Sequence, residues 1–148
     1  MAVAIKRVYE VASRSDGARV LVDRLWPRGL TKAAAAVDEW LRDLAPSNEL
    51  RRWYHAHSDH ARRDHWQDFR RKYLKELSQP EAERSLLQLY QLAHKRKLLT
   101  LLFASKNQTH NNAVVLKELL DGMRKPPTGT GPGAMRGLRR REAAVRRR

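Results

Sequence analysis

Two short segments collect most of the side chains able to do chemistry. One reads Asp23-Arg24-Leu25-Trp26-Pro27-Arg28-Gly29, and the other Ser105-Lys106-Asn107-Gln108-Thr109-His110-Asn111-Asn112. Arg24 and Arg28 present planar guanidinium forks that match a carboxylate or phosphate, and Lys106 adds a point charge. His110 is the member of the set that exchanges protons near neutral pH, and Asp23 can orient it or act as a base itself. Ser105 offers a hydroxyl, as a nucleophile or as a plain turn residue. No Ser-His-Asp triad follows from spacing, because geometry defines one. The set describes a receptor for a small anion. His110 and Asp23 are its candidate catalytic residues, and Arg24, Arg28, Lys106 and Asn111 its candidate ligand contacts. A structural alternative stands beside it. Asp23 can pair with Arg24 or Arg28 to pin a loop, Trp26 suits the core, and Asn111 and Asn112 suit helix capping.

These residues matter only if strands and helices bring them together. Arg19–Asp23 (RVLVD) is short and rich in branched apolars, and Leu98–Ala104 (LLTLLFA) is a continuous apolar run. Such a run predicts a strand buried on both faces. Ala2–Tyr9 predicts a third strand. From Thr31, the positions Ala33, Ala36, Val37, Trp40, Leu41 and Leu44 step by three and four. This spacing predicts one helix, capped by Thr31 and stopped by Pro46. Ser47 caps a second helix carrying Leu50, Trp53 and Tyr54. Trp66, Phe69, Tyr73 and Leu77 mark a third, and Pro80 starts a fourth with Leu86, Leu89 and Ala93. Thr109 caps a last helix, closed by Gly122 at its C′ position.

The order strand, strand, helices, strand, helix predicts an α/β fold. Its sheet is small and mostly parallel, of about three strands covered by helices. About ten residues join the first two strands, fewer than a parallel crossover usually needs, so that pair is a candidate for antiparallel pairing. In open α/β sheets ligands bind beyond the carboxyl ends of the strands. That rule selects the two loops above, and they face each other if their strands are parallel neighbours. Ser47 and Arg51, at the start of a helix whose free N–H groups favour anions, can line the rim.

The chain has 148 residues, a formal net charge of +15 and no Cys. Disulfides and Cys-bound zinc are excluded. Charge appears early in Met1–Glu10, and the longest apolar run is far short of the ~20 residues of a transmembrane helix, so a soluble, cytoplasmic protein is expected. Residues 1–122 read as one domain. Residues 123–148 carry nine Lys/Arg against Glu142 alone and include PPTGTGPGAMRG, which predicts a disordered Arg-rich tail. That tail is a possible nonspecific contact for nucleic acid.

His55, His57, His60 and His65, with Asp59 and Asp64, repeat no metal-ligand spacing, so neither a metal nor another cofactor is expected. Arg51-Arg52, Arg62-Arg63 and Arg70-Arg71-Lys72 read as solvated helix faces or as a basic footprint. No helix-turn-helix or Gly-rich phosphate loop is visible.

The segments Val8–Leu30, Asp38–Tyr54, Phe69–Leu77 and Thr100–Leu120 resemble the YeaO-like branch of the bacterial family called domain of unknown function 488, over about residues 4–121. DRLWPRG, DLAPS-x-ELR-x-W and the His-Asn pair before AVVL occur in that family's order. The resemblance implies a small α/β domain and no established activity. Its motifs fall on Asp23, Arg24, Trp26–Gly29, Asp43, Ala45–Ser47, Leu50, Arg51, Lys106, His110 and Asn111. One departure is local: the family's short His-Asp-Pro step is replaced by the longer HAHSDHARRDHW (His55–Trp66).

Overall fold

The longest apolar run, Leu98–Phe103, forms a strand (β4) that is buried at every residue after Leu98. With no side that tolerates water, it belongs in the middle of a sheet. A computed structural model, which describes residues 1–57 and 64–127, places it there. Ala2–Arg7 forms β1, Ala18–Leu21 β2 and Glu39–Trp40 β3. The order across the sheet is β1-β4-β2-β3, and every neighbouring pair is parallel. The expected three strands therefore gain a short fourth at one edge.

Antiparallel pairing of the first two strands is corrected. β1 and β2 do not pair, because β4 lies between them. Their connection has to travel roughly 13 Å along the strands and roughly 10 Å across, which about ten residues span without a helix. It folds instead around a short 3-10 turn, Arg14–Asp16, closed by a capping box between Ser13 and Asp16. Gly17 then passes so close to the sheet that a Cβ there would sit 2.2 Å from the Leu98 carbonyl oxygen.

The single helix expected from Thr31 to Leu44 is also corrected. Thr31 does cap a helix, accepting from the Ala34 N–H, but that helix (α1) covers only Lys32–Ala35. Ala36 turns left-handed at φ 48°. The chain then joins the sheet through Asp38 N–H to the Arg19 carbonyl (2.8 Å) and Leu41 N–H to the Leu21 carbonyl (2.9 Å). The three-and-four spacing merged residues that serve two faces. Ala35, Val37 and Trp40 pack on one side of the sheet, Leu41 and Leu44 on the other. Sheet pairing outweighed local helix propensity.

The remaining helices are α2 (Asn48–His55), α3 (Trp66–Leu77), α4 (Pro80–Arg96) and α5 (Asn112–Asp121). Ser47 caps α2 and Pro80 opens α4. The cap of α5 is Asn111, not Thr109, because the Asn107 side chain takes the Thr109 and His110 N–H groups and delays the helix. Gly122 ends α5 in a right-handed conformation, and Met123 still packs on the core.

Period-two alternation divides the core. Leu99, Leu101 and Phe103 face the helices, together with Val20 and Leu116. Leu21 and Leu102 face the smaller layer built by Val8, Trp26 and Trp40. No helix among the described residues is long and apolar enough to cross a membrane. Of the expected tail, 123–148, only residues 123–127 are described, and Met123 packs on the core; residues 128–148 lie outside the described residues.

Candidate functional site

The strand register fixes where the loops begin. Arg7 pairs with Phe103 and Leu21 with Leu102, so β1, β2 and β4 end at nearly one level. Their following loops start side by side, as the strand-end rule requires. Between them lies a recess of about 350 Å³.

Asp23 ties its base together. One carboxylate oxygen accepts the Ala104 N–H (2.8 Å) and the other the Asn112 amide (3.1 Å). The same Asn112 amide donates to the Val22 carbonyl (2.9 Å). These bonds join the ends of β2 and β4 to the first turn of α5. Burial pushes the Asp23 carboxyl up, and the Ala104 N–H, the Asn112 amide and the nearby Arg51 charge pull back without cancelling it. Asp23 and His110 both face the recess but are not hydrogen-bonded to each other. The expected orientation of His110 by Asp23 is therefore corrected: the carboxylate clamps backbone and amide groups, while the imidazole packs on Trp66 with ring centroids 4.7 Å apart.

The cations play unequal parts. Arg24 donates to the carbonyls of Pro46 (3.3 Å) and Ala45 (3.2 Å), so it fastens the β2 loop to the entrance of α2 while lining the recess. Arg28 is exposed at the rim, and its carbonyl accepts the Tyr9 hydroxyl (3.0 Å). Arg51 reaches in from α2, and its buried Nε has no hydrogen-bond partner. Among the described residues, Asp23 is the lone carboxylate in a lining that also holds Arg24, Arg28, Arg51, His55 and His110. The first turn of α5 adds Asn111 and Asn112, with the positive end of a helix behind them.

Two predicted contacts lie elsewhere. Lys106 is exposed and outside the lining. Ser47 is used up in capping: its hydroxyl accepts the Leu50 N–H and donates to Glu76 (2.6 Å), whose other oxygen accepts the Ser47 N–H (2.8 Å). Sequence reasoning missed Tyr9, Tyr54, His55 and Phe69, all in the lining. Tyr9 follows β1, so the strand-end rule applied to that strand finds it. Tyr54 and Phe69 looked like ordinary helix core, and nothing local separates a core ring from one that also walls a recess.

The His-rich stretch divides. The His57 and His65 rings lie 4.3 Å apart at a tilt, with His57 Nδ1 2.8 Å from the Trp53 carbonyl oxygen. Asp59, His60 and Arg62-Arg63 lie outside the described residues. Among the described residues, no group of three or more His, Asp or Glu is placed to hold a metal ion. Arg70 and Arg71 pair with Glu118 (3.1 Å) and Asp68 (2.7 Å).

A family model described as the inactive DUF488-N3 subclade matches residues 2–128. The chain belongs to this family. Among its relatives, the uncharacterized protein YeaO of Escherichia coli K12 is 46% identical over 121 residues, covering 81% of this chain and 97% of YeaO. The uncharacterized protein Rv3073c of Mycobacterium tuberculosis H37Rv is 38% identical over 120 residues, covering 81% of this chain and 94% of that protein. The YeaO-like resemblance within DUF488 is thereby established. No solved structure matches the chain significantly.

Proposed function

We propose that this DUF488-N3 protein binds a small anionic compound, a phosphate or carboxylate, at the carboxyl ends of its strands. One observation carries the reading: among the described residues, three guanidinium groups and two imidazoles line a recess with a single carboxylate, and that carboxylate is already engaged by Ala104 and Asn112. Arg28 and Arg51 hold the anion, Arg24 and Asp23 keep the loops in place, and the α5 N-terminus adds favourable potential. Binding without turnover fits two facts. The family description calls its subclade inactive. Ser105 also accepts the Asn107 N–H (3.2 Å), as a turn hydroxyl does, with no hydrogen bond from its hydroxyl to His110.

The test is a titration of inorganic phosphate and acetate into the full chain, alongside Arg51→Gln and Arg28→Gln. Saturable binding that weakens at least tenfold in Arg51→Gln is expected. Absence of saturable binding by any anion overturns the reading.

A second reading rests on the net charge of +15. Nonspecific nucleic-acid binding of that origin weakens steeply between ~50 and ~200 mM salt. Gel shifts of the full chain and of a chain ending at Pro127 decide it. Equal binding by both chains denies the tail that role.

A further inference from the structure

Part of the recess wall is aromatic. Phe69 and Tyr54, both buried, stack with centroids 4.5 Å apart and line the recess. Phe69 also stacks on Trp66 at 5.6 Å, and Trp66 lies against His110 at 4.7 Å. The imidazole thus ends a row of four rings. On α2, Arg51, Tyr54 and His55 occupy positions i, i+3 and i+4, which share one helix face, and all three line the recess. One face therefore presents a cation beside flat rings. Leu25, Trp26 and Pro27 supply apolar surface from the β2 loop.

A site for a bare inorganic anion has no use for such walls. Hydrated ions are held by polar donors, and burying them against rings costs desolvation. Small-molecule pockets, by contrast, are mostly apolar with a few placed polar groups, and their volumes run from roughly 300 to 1,000 Å³. A recess of about 350 Å³ admits one ring and its substituent. The buried, unpartnered Nε of Arg51 is a donor that folding left unsatisfied, and such donors are rare without a partner in the working state.

We infer that the recess takes an anion carried directly on a flat ring, an aryl carboxylate or aryl phosphate, with the anion on Arg51 and the ring against Phe69 and Tyr54. This rests on the anion-binding reading and names its ligand class. Carboxylate and phosphate share the recognising chemistry, so both are tested.

The experiment is a protein-observed NMR titration of the full chain, which reads millimolar affinities. The probes are benzoate, cyclohexanecarboxylate, phenyl phosphate, inorganic phosphate and benzyl alcohol. Benzoate is expected to bind roughly two- to tenfold tighter than cyclohexanecarboxylate, the margin that ring-on-ring contact adds beyond area. Phenyl phosphate is expected to exceed inorganic phosphate by more, and benzyl alcohol to bind weakest. Arg51→Gln lowers affinity for both aryl anions at least tenfold. Phe69→Leu brings benzoate and cyclohexanecarboxylate to parity. Since Phe69 is in the core, the comparison of the two ligands on the unaltered chain stands even if that variant does not fold. Parity on the unaltered chain, or inorganic phosphate matching phenyl phosphate, overturns the ring inference and leaves anion binding standing. Failure of every anion overturns both.

Discussion

Asp23 and Asp16 show what neighbours do to a carboxyl group. Asp23 gathers the Ala104 N–H and the Asn112 amide, so Asp23→Ala leaves two donors without their acceptor. Urea unfolding is expected to show a loss of about 1–3 kcal/mol. Burial nevertheless raises this carboxyl, so the folded state takes up its proton more readily than the unfolded chain does. Its contribution to stability therefore grows as pH falls through the raised value and shrinks as pH climbs. Asp16 behaves oppositely. Burial pushes it up, but the Ser13 N–H together with Lys6 and Arg19 holds it below the usual carboxylate range. Arg19, itself buried in β2, donates to Asp16 at 2.6 Å and to the Ala35 and Ala36 carbonyls. The stability Asp16 supplies is complete above its unfolded value and is lost as pH falls through the depressed one. Urea midpoints at pH 6 and pH 3 are expected to drop less between the two in Asp16→Asn than in the unaltered chain. An equal drop would refute the assignment.

At the scale of elements, two connections carry the architecture. The β1–β2 link works because Gly17 adopts φ 63° against the Leu98 carbonyl. Gly17→Ala adds both a left-handed penalty and a backbone clash, and is expected to cost roughly 3 kcal/mol or to prevent folding, read by thermal unfolding. The α2 entrance is held by the Ser47 cap and its two bonds to Glu76, while Tyr73 donates to the Leu44 carbonyl just before it. Ser47→Ala is expected to lower stability by about 1–2 kcal/mol. It should also weaken anion binding, because α2 carries Arg51. These elements were unequally legible. β4, α3, α4 and the Ser47 cap follow from apolar runs, helical spacing and capping chemistry close at hand in sequence. The 31–44 segment misled, because its spacing is shared between a helix and two separate packing faces. Asn111 was legible as a capping residue beside Thr109, and only the Asn107 side chain, which takes the Thr109 and His110 N–H groups, decides between them.

For the molecule as a whole, a ligand that binds only the folded chain adds stability by mass action, about 2.7 kcal/mol at a hundred times its dissociation constant. Phenyl phosphate is expected to raise the unfolding temperature of the full chain and to leave Arg51→Gln unmoved, which differential scanning fluorimetry reads. From the linear order of residues alone came the α/β class, the central buried strand, the strand-end loops holding Asp23, Arg24, Arg28, His110 and Asn111, and the kinship with DUF488. All of these depend on local composition, spacing and motif. Folding decided the rest. It inserted β4 between β1 and β2, aligned three strand ends, turned Asp23 into a clamp and left Lys106 and Ser47 outside the recess. It also stood Arg51 beside Tyr54 and Phe69 with an unsatisfied donor. Those outcomes arise from contacts between residues far apart in the chain, where hydrogen-bond competition and shared burial are settled only once the layers have packed.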